Sequence, residues 1–453
     1  MKERIEFIGR HQRIFLFIIL VVGFFVVMLD STVVNVALVS IGKDIQASDS
    51  GLQWIINSYN LSLASTLLVW GALCDRIGAH RVYSAGLVIF ALASMACALA
   101  DKTVTLLIAR IFQGLGGACL IPASLALISK VATNFKERAQ FIGWWGASGG
   151  LAAAAGPLLG GLLTSQFSWR AIFYLNPFLI VMVLSCLCMG RNILKQRVEI
   201  KERRFDWLGS VFMTLIMIAC SYAAIQGSTQ YTLEGVLSLI SGVVILVLLV
   251  MHEKRSLQPL LPLSLLKQAR FITANMVGFC LNFSFFGELF VLSLYLQQHL
   301  GLSSAYAGLA LFPQTCSAII AAPLGGKYAG RWGNLRVIQI GLCVGGTGFA
   351  LLNLIDCNIP FILIATFSFL ASFGMAFAMP AATNQAVSCA SEAEQGVAAG
   401  VINTTRQFGS VMGVSVIGSL FALGNIHAAL LAAALMFLFP LIAISVWENT
   451  TNK

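Results

Sequence analysis

The sequence predicts an all-α integral membrane protein of fourteen transmembrane helices, arranged as two six-helix halves and one additional pair. Composition, the distribution of basic residues and an internal repeat carry that prediction. The 453 residues are 58% hydrophobic and only 10% charged, against roughly 25% charged in soluble proteins. Each span of the hydrocarbon core needs about 20 apolar residues, because only a helix can satisfy its own backbone hydrogen bonds there. Apolar runs between polar breaks are centred near residues 25, 62, 91, 115, 152, 180, 216, 242, 283, 315, 344, 369, 409 and 436.

The formal charge of +10 does not make a nucleic-acid surface, since the basic residues punctuate the apolar runs and form no continuous face. They set orientation instead. Segments predicted cytoplasmic hold 23 of the 28 Lys and Arg, while only Lys43, Lys102 and Arg170 fall on the other side. Arg110 and Arg406 lie within spans. This bias supports the span count and places both termini in the cytoplasm, with the lipid bilayer of the inner membrane as the surrounding partner. The basic start, Met1 to Arg13, runs into an apolar stretch long enough to span, so helix 1 is expected to act as its own insertion signal. The eleven cysteines are scattered singly, and Cys186 and Cys188 lie too close for two ligands on one helix face. No metal or disulfide role is expected of them.

Gly71-Ala-Leu-Cys-Asp-Arg-Ile-Gly-Ala-His-Arg-Val82 returns as Gly326-Lys-Tyr-Ala-Gly-Arg-Trp-Gly-Asn-Leu-Arg-Val337, 255 residues later. Gly116 to Pro122 returns as Gly374 to Pro380, 258 residues later. The repeat relates helix 2 to helix 10 and helix 4 to helix 12, so the halves are related by an axis along the membrane normal. The expected organisation is 1–190 as the N-terminal half, 191–265 as a cytoplasmic linker with the two additional helices, and 266–453 as the C-terminal half.

Gly71, Asp75, Arg76, Gly78 and Arg81 resemble the loop between helices 2 and 3 of the major facilitator superfamily. This chain has Ala79 and His80 where the family usually has two basic residues. Arg110-Ile-Phe-Gln-Gly-Leu-Gly-Gly117 resembles the family's membrane-embedded arginine motif, and Gly149-Gly-Leu-Ala-Ala-Ala-Ala-Gly-Pro-Leu-Leu-Gly-Gly161 the antiporter motif of its exporters. In the latter, Gly156 and Pro157 are expected to bend helix 5 and Gly160 and Gly161 to close the motif, while Gly146, Gly150 and Ala154 recur every four residues as a small-residue face. Leu29-Asp-Ser-Thr-Val-Val-Asn-Val-Ala-Leu38, Gln53-Trp-Ile-Ile-Asn-Ser-Tyr59 and Phe205-Asp-Trp-Leu-Gly209 resemble the fourteen-helix drug:proton antiporter branch. The resemblance covers essentially the whole chain.

Ionisable residues inside a membrane cost at least about 2.5 to 3.5 kcal/mol, so Asp30, Arg110, Glu288 and Arg406 are functional candidates. A carboxylate that alternates between a poorly solvated setting and one beside a guanidinium alternates in its preference for the neutral and charged forms, and so carries a proton. Asp30 and Arg110 are expected to form that couple. Glu288, beside Phe285 and Phe286, is required by none of the motifs above; it is open to proton coupling, to attraction of an organic cation, or to pairing with Arg406. Arg406 resembles an arginine of helix 13 in that branch with a structural or gating role, and Asn35, Tyr59, Glu288 and Arg406 are the candidate substrate contacts.

The implied activity is proton-coupled antiport of drug-like or amphipathic small molecules by alternating access. No cofactor is expected beyond the proton gradient, and a monomer suffices. An exporter of an endogenous siderophore, amino acid or lipid-like compound would use the same machinery; the Gly156-Pro157 motif weighs against an uptake symporter, and the repeated halves against a channel. An enzyme is disfavoured because no nucleophile, nucleotide or metal constellation is present.

Overall fold

The computed structural model describes residues 10–132, 134–194, 206–226, 233–256, 264–355, 359–391 and 394–451. Each predicted apolar centre lies within one α-helix. The first six helices are α1 (Arg10–Ile45), α2 (Asp49–Leu73), α3 (Ala79–Ala98), α4 (Thr103–Val131), α5 (Phe135–Gln166) and α6 (Arg170–Leu194). The additional pair is α7 (Trp207–Gln226) and α8 (Leu233–Glu253). The second six are α9 (Ala269–Gln298), α10 (Ser304–Trp332), α11 (Asn334–Leu352), α12 (Phe361–Ser388), α13 (Gln395–Ala422) and α14 (Ile426–Thr451). Among the described residues, eleven of these helices are long and apolar enough to cross a membrane, while α2 and α13 are richer in polar residues.

Helix starts follow local chemistry. Ser48, Asn134 and Ser303 accept hydrogen bonds from the backbone N–H of Gly51, Glu137 and Tyr306, satisfying donors that a helix leaves free in its first turn. Asp206 does the same for Gly209 at 2.9 Å, and its Oδ1 also meets Nε2 of His252 at 2.7 Å, so one carboxylate starts α7 and ties it to the end of α8. Of the predicted linker, Arg191 to Asp206, the first residues to Leu194 belong to α6 and Asp206 precedes α7, and 195–205 lie outside the described residues.

The repeat is a repeat of geometry. Gly78 has φ +100° before α3 and Gly333, its counterpart, has φ +84° before α11, a region where a side chain is strained. A Cβ on Gly116 would stand 2.7 Å from the backbone N of Phe90, and one on Gly374 would strike the N of Gly345, the residue 255 positions after Phe90. Glycine thus lets α4 lie directly on α3, and α12 on α11. Gly116→Leu and Gly374→Leu are each expected to destabilise the protein by about 1–3 kcal/mol or more through overpacking. Gly326→Ala, at a position where a Cβ meets nothing within 4 Å, is the control. Thermal unfolding of detergent-solubilised protein checks the contrast.

Two expectations need correction. The segment predicted as a loop after helix 2 is a single π-helical turn, Cys74–Gly78, continuous with α2, and the chain breaks direction only at Gly78. Arg76 and Arg81 are exposed there, and the Asp75 side chain lies outside the described residues. The small-residue face of helix 5 is also different. Cβ atoms on Gly146 and Gly150 would meet nothing, whereas Gly149 packs on Phe24, Gly156 on Thr32 and Gly160 on the carbonyl of Val33, all of α1. Of the expected stripe only Ala154 is buried, its carbonyl accepting from Thr315 of α10, while the glycines packed on α1 belong to the neighbouring stripe.

The two bundles meet at the end that carries the α9–α10 connection. Ser293 Oγ donates to the Asn35 carbonyl at 2.8 Å, Gln297 Nε2 to the Val36 carbonyl at 3.0 Å, and Asn57 Nδ2 to Ser415 Oγ at 2.9 Å. On the other side of the molecule Thr315 Oγ1 donates to the Ala154 carbonyl at 3.0 Å, Gly308 packs under the Pro157 carbonyl and Gly161 under that of Ser304. Towards the opposite end, Cβ atoms on Gly143, Gly146 and Gly150, or on Gly326 and Gly330, would meet nothing within 4 Å. The two bundles are therefore closed against each other at the end of the α9–α10 connection. α7 lies against α2 and α13, with α8 outside it, as an added layer beside the seam.

Arg170, one of the three basic residues on the minority side, is held by Asp44 and by Asp101 at 3.3 Å, with Trp169 beneath its guanidinium. Its charge is matched locally, which removes the conflict with the overall orientation bias.

Candidate functional site

Three glycines in the Arg110 segment face three different helices. Gly114 packs on Tyr59 and Ser62 of α2, Gly116 on Phe90 of α3, and Gly117 on Val27 of α1, 3.2 Å from where a Cβ would stand. They draw α4 into the bundle far enough for a long side chain to reach across it. Arg110 is 1% exposed and pairs with Asp30, which is fully buried.

The pair sits in a closed polar network. Asp30 Oδ2 accepts from Arg110, and Oδ1 accepts from Gln113 Nε2 and Asn176 Nδ2, each at 2.8 Å. Arg110 also donates to Gln113 Oε1 at 2.7 Å and, through Nε, to the Ile55 carbonyl at 3.2 Å. Ser94 Oγ accepts from both amides, at 3.1 and 2.9 Å, and donates to the Phe173 carbonyl. The guanidinium carbon lies 4.2 Å from the Tyr59 ring centroid, close enough for a favourable cation–ring interaction. Tyr59 in turn is fixed by donating to the Val27 carbonyl at 3.0 Å. Two opposite charges buried together withstand their desolvation only when geometry and surrounding hydrogen bonds are good, and five helices supply those bonds here. Asn176→Ala is expected to cost about 1–3 kcal/mol, because it strips a partner from a buried carboxylate; thermal unfolding reads it.

Sequence reasoning brought Asp30, Arg110 and Tyr59 forward, and they are in contact. It passed over Gln113, Asn176 and Ser94. Gln113 was findable, standing three residues from Arg110 on the same helix face. The remaining candidates lie elsewhere. Asn35 is buried in the seam between α1 and α9, its amide donating to carbonyls of its own helix. Arg406 contacts Asn403 Oδ1 at 3.3 Å across space that Gly278 leaves free, and it forms no ion pair with Glu288 or another carboxylate among the described residues. Glu288 is fully buried in α9 and accepts from Gln314 of α10. Gly156, Pro157, Gly160 and Gly161 are all at packed helix contacts, while Gly71 approaches only Pro122, at 3.9 Å.

A cavity of about 470 Å³ between α9, α13 and α14, lined by residues such as Phe271, Met276, Phe279 and Met436, includes none of these groups. Among the described residues no cluster of three His, Cys, Asp or Glu side chains could hold a metal ion.

A many-helix bundle of two repeated halves around buried charges defines a multi-pass membrane transporter. Matches to the Major Facilitator Superfamily span residues 20–414 and 276–451, and the chain belongs to that superfamily. It is 32% identical over 438 residues to the Methylenomycin A resistance protein of Bacillus subtilis (strain 168), covering 95% of this chain and 93% of that one. It is 33% identical to the Methylenomycin A resistance protein of Streptomyces coelicolor, covering 88% and 84%. It is 31% identical to the drug efflux pump JefA of Mycobacterium tuberculosis (strain H37Rv), covering 91% and 80%. A crystal structure of the peptide transporter POT in complex with sulfate superposes with a TM-score of 0.73 at 16% identity, over 99% of this chain and 98% of that one, which establishes likeness of fold.

Proposed function

We propose that the protein exports drug-like or amphipathic small molecules across the cytoplasmic membrane in exchange for protons. The observation that carries this reading is the fully buried Asp30–Arg110 pair, a carboxylate held against a guanidinium inside the apolar helices of the N-terminal half. Relatives named for resistance to methylenomycin and for drug efflux support the cargo class and direction.

With the termini cytoplasmic, the closed end faces outward, and cargo is taken to enter from the cytoplasm in this conformation. A proton arriving from outside neutralises Asp30, weakens its hold on Arg110 and frees the helices to rearrange and release cargo. Return of the proton to the cytoplasm re-forms the pair. The driving force is adequate: a charge crossing the membrane supplies about 2.3 kcal/mol per 100 mV, and one pH unit about 1.4 kcal/mol. Modest gradients then sustain roughly hundredfold accumulation per proton.

Purified protein in weakly buffered detergent solution should release protons when a transported compound is added, and Asp30→Asn should remove that release. Cargo binding with no proton release from the native protein would overturn the exchange mechanism.

A further inference from the structure

The internal repeat extends to Glu288. Asp30 and Glu288 are 258 residues apart, as are Arg110 and Ser368, while Tyr59 and Gln314 are 255 apart. These are the offsets that superpose the glycine contacts of the two halves. In each half the carboxylate comes from the first helix, α1 or α9, and its neighbours come from the second and fourth, α2 and α4 or α10 and α12. Gln314 donates to Glu288, and the Ser368 hydroxyl lies beside the same carboxyl group without reaching bonding geometry. The C-terminal half thus contains the counterpart of the Asp30 site, with a serine in the place of its arginine.

That exchange leaves a negative charge without a built-in cation. Glu288 is 0% exposed, as are Gln314 and Ser368, and Ser372, one turn along the same face of α12, is 1% exposed. Glu288 Oε1, Gln314 Oε1, Ser368 Oγ and Ser372 Oγ all lack a hydrogen-bond partner among the described residues. Serine hydroxyls inside helices ordinarily donate to a carbonyl of the preceding turn, as Ser410 and Ser415 do. Ser368 and Ser372 do not. The helices packed against α9 bring no matching positive charge: α12 carries no charged residue, the cations of α10 are at its far end, Lys327 and Arg331, and Arg406 of α13 forms no ion pair with Glu288. On α1, Asp30 is engaged by Arg110, and Lys43 lies at its last turn.

We propose that Glu288, Gln314, Ser368 and Ser372 form a binding site for a sodium ion. All four donors are oxygens, the set that hard cations prefer over nitrogen- and sulfur-seeking metals. The site holds one carboxylate, which balances one positive charge, and the described surroundings add no second carboxylate for a divalent ion. A proton on Glu288 and rotation of the two serine hydroxyls would supply donors, whereas a coordinated cation accepts lone pairs from all four oxygens; a saturable response to sodium but not to choline separates the two. The site is separate from Asp30, and its existence does not rest on proton exchange there.

The test is thermal unfolding of the purified, detergent-solubilised full-length protein titrated with sodium chloride against choline chloride at constant ionic strength, between pH 6 and pH 8.5. Sodium should raise the unfolding temperature saturably and choline should not. Glu288→Gln should abolish the response, Ser368→Ala should weaken apparent affinity at least tenfold, and Asp30→Asn should leave the response in place. No sodium response, a response to pH alone, or a sodium response that survives Glu288→Gln would each overturn the assignment. If Ser368→Ala is unstable, radioactive sodium binding to Ser372→Ala, expected to fall at least tenfold, decides the same point. Loss of proton exchange in Asp30→Asn is a separate readout, so failure of that mechanism and failure of the sodium site are distinguishable.

Discussion

Asp30→Asn is expected to abolish proton-coupled efflux, reducing gradient-driven transport at least a hundredfold. The substitution removes the network's only carboxylate among the described residues and keeps nearly the same volume. It also leaves Arg110 buried without its counter-ion, and breaking a buried pair from one side costs about 3–5 kcal/mol. Lost transport alone would therefore confuse chemistry with folding. The double variant Asp30→Asn with Arg110→Gln separates them, because replacing both charges is far less costly than stranding one. Its unfolding temperature should return towards that of the native protein while efflux remains absent. Restored gradient-driven efflux in the double variant would show that the pair is structural.

The second large effect is expected from Gly308→Leu. A side chain at 308 would collide with the Pro157 carbonyl of α5, and on the other side of this contact Gly161 lies under the Ser304 carbonyl. No rotamer avoids a backbone atom, so the leucine must wedge α5 away from α10 and open the closed end. Transport should fall at least tenfold because one of the two alternating conformations is lost, while the fold survives elsewhere. A reporter is available in Asn35, which is 1% exposed in the α1–α9 seam. In a variant lacking the eleven native cysteines, Asn35→Cys should react with a membrane-impermeant maleimide from outside much faster when Gly308→Leu is present. Equal labelling with and without the wedge would contradict the role given to this contact. It would also remove the physical reason for reading Gly156, Pro157, Gly160 and Gly161 as a gating segment.

The helices were legible in the sequence because the bilayer imposes one length and one kind of secondary structure on every crossing. The glycine spacing on α5 does not tell Gly149 from Gly146 and Gly150, which occupy adjacent stripes, and only the position of α1 decides which of these glycines is packed. Asp30 and Arg110 stood out because charge in an apolar helix is rare. Ser94, Gln113 and Asn176 did not, since single neutral polar residues in such helices commonly bond to their own backbone, as Thr66 and Asn275 do here. The likeness of Glu288 to Asp30 was present in the numbering, through the shared offset of 258 with Gly116 and Gly374. It gained physical meaning only when Gln314 and Ser368 were found where Tyr59 and Arg110 stand in the other half. The π-turn at Cys74–Gly78 had no signal, because a polar break looks the same whether it is coil or a widened helical turn.

Proton-driven export is the central claim, and transport into everted membrane vesicles across a chemically varied panel of drug-like compounds and metabolites tests it most directly. Each compound is followed with and without an imposed pH gradient, acidic inside the vesicle. The account predicts that native protein accumulates at least one amphipathic compound in the lumen, that a protonophore collapses the accumulation, and that Asp30→Asn vesicles show none. Accumulation that is indifferent to the pH gradient, or cargo that moves only out of the vesicle in step with proton flow, would contradict it.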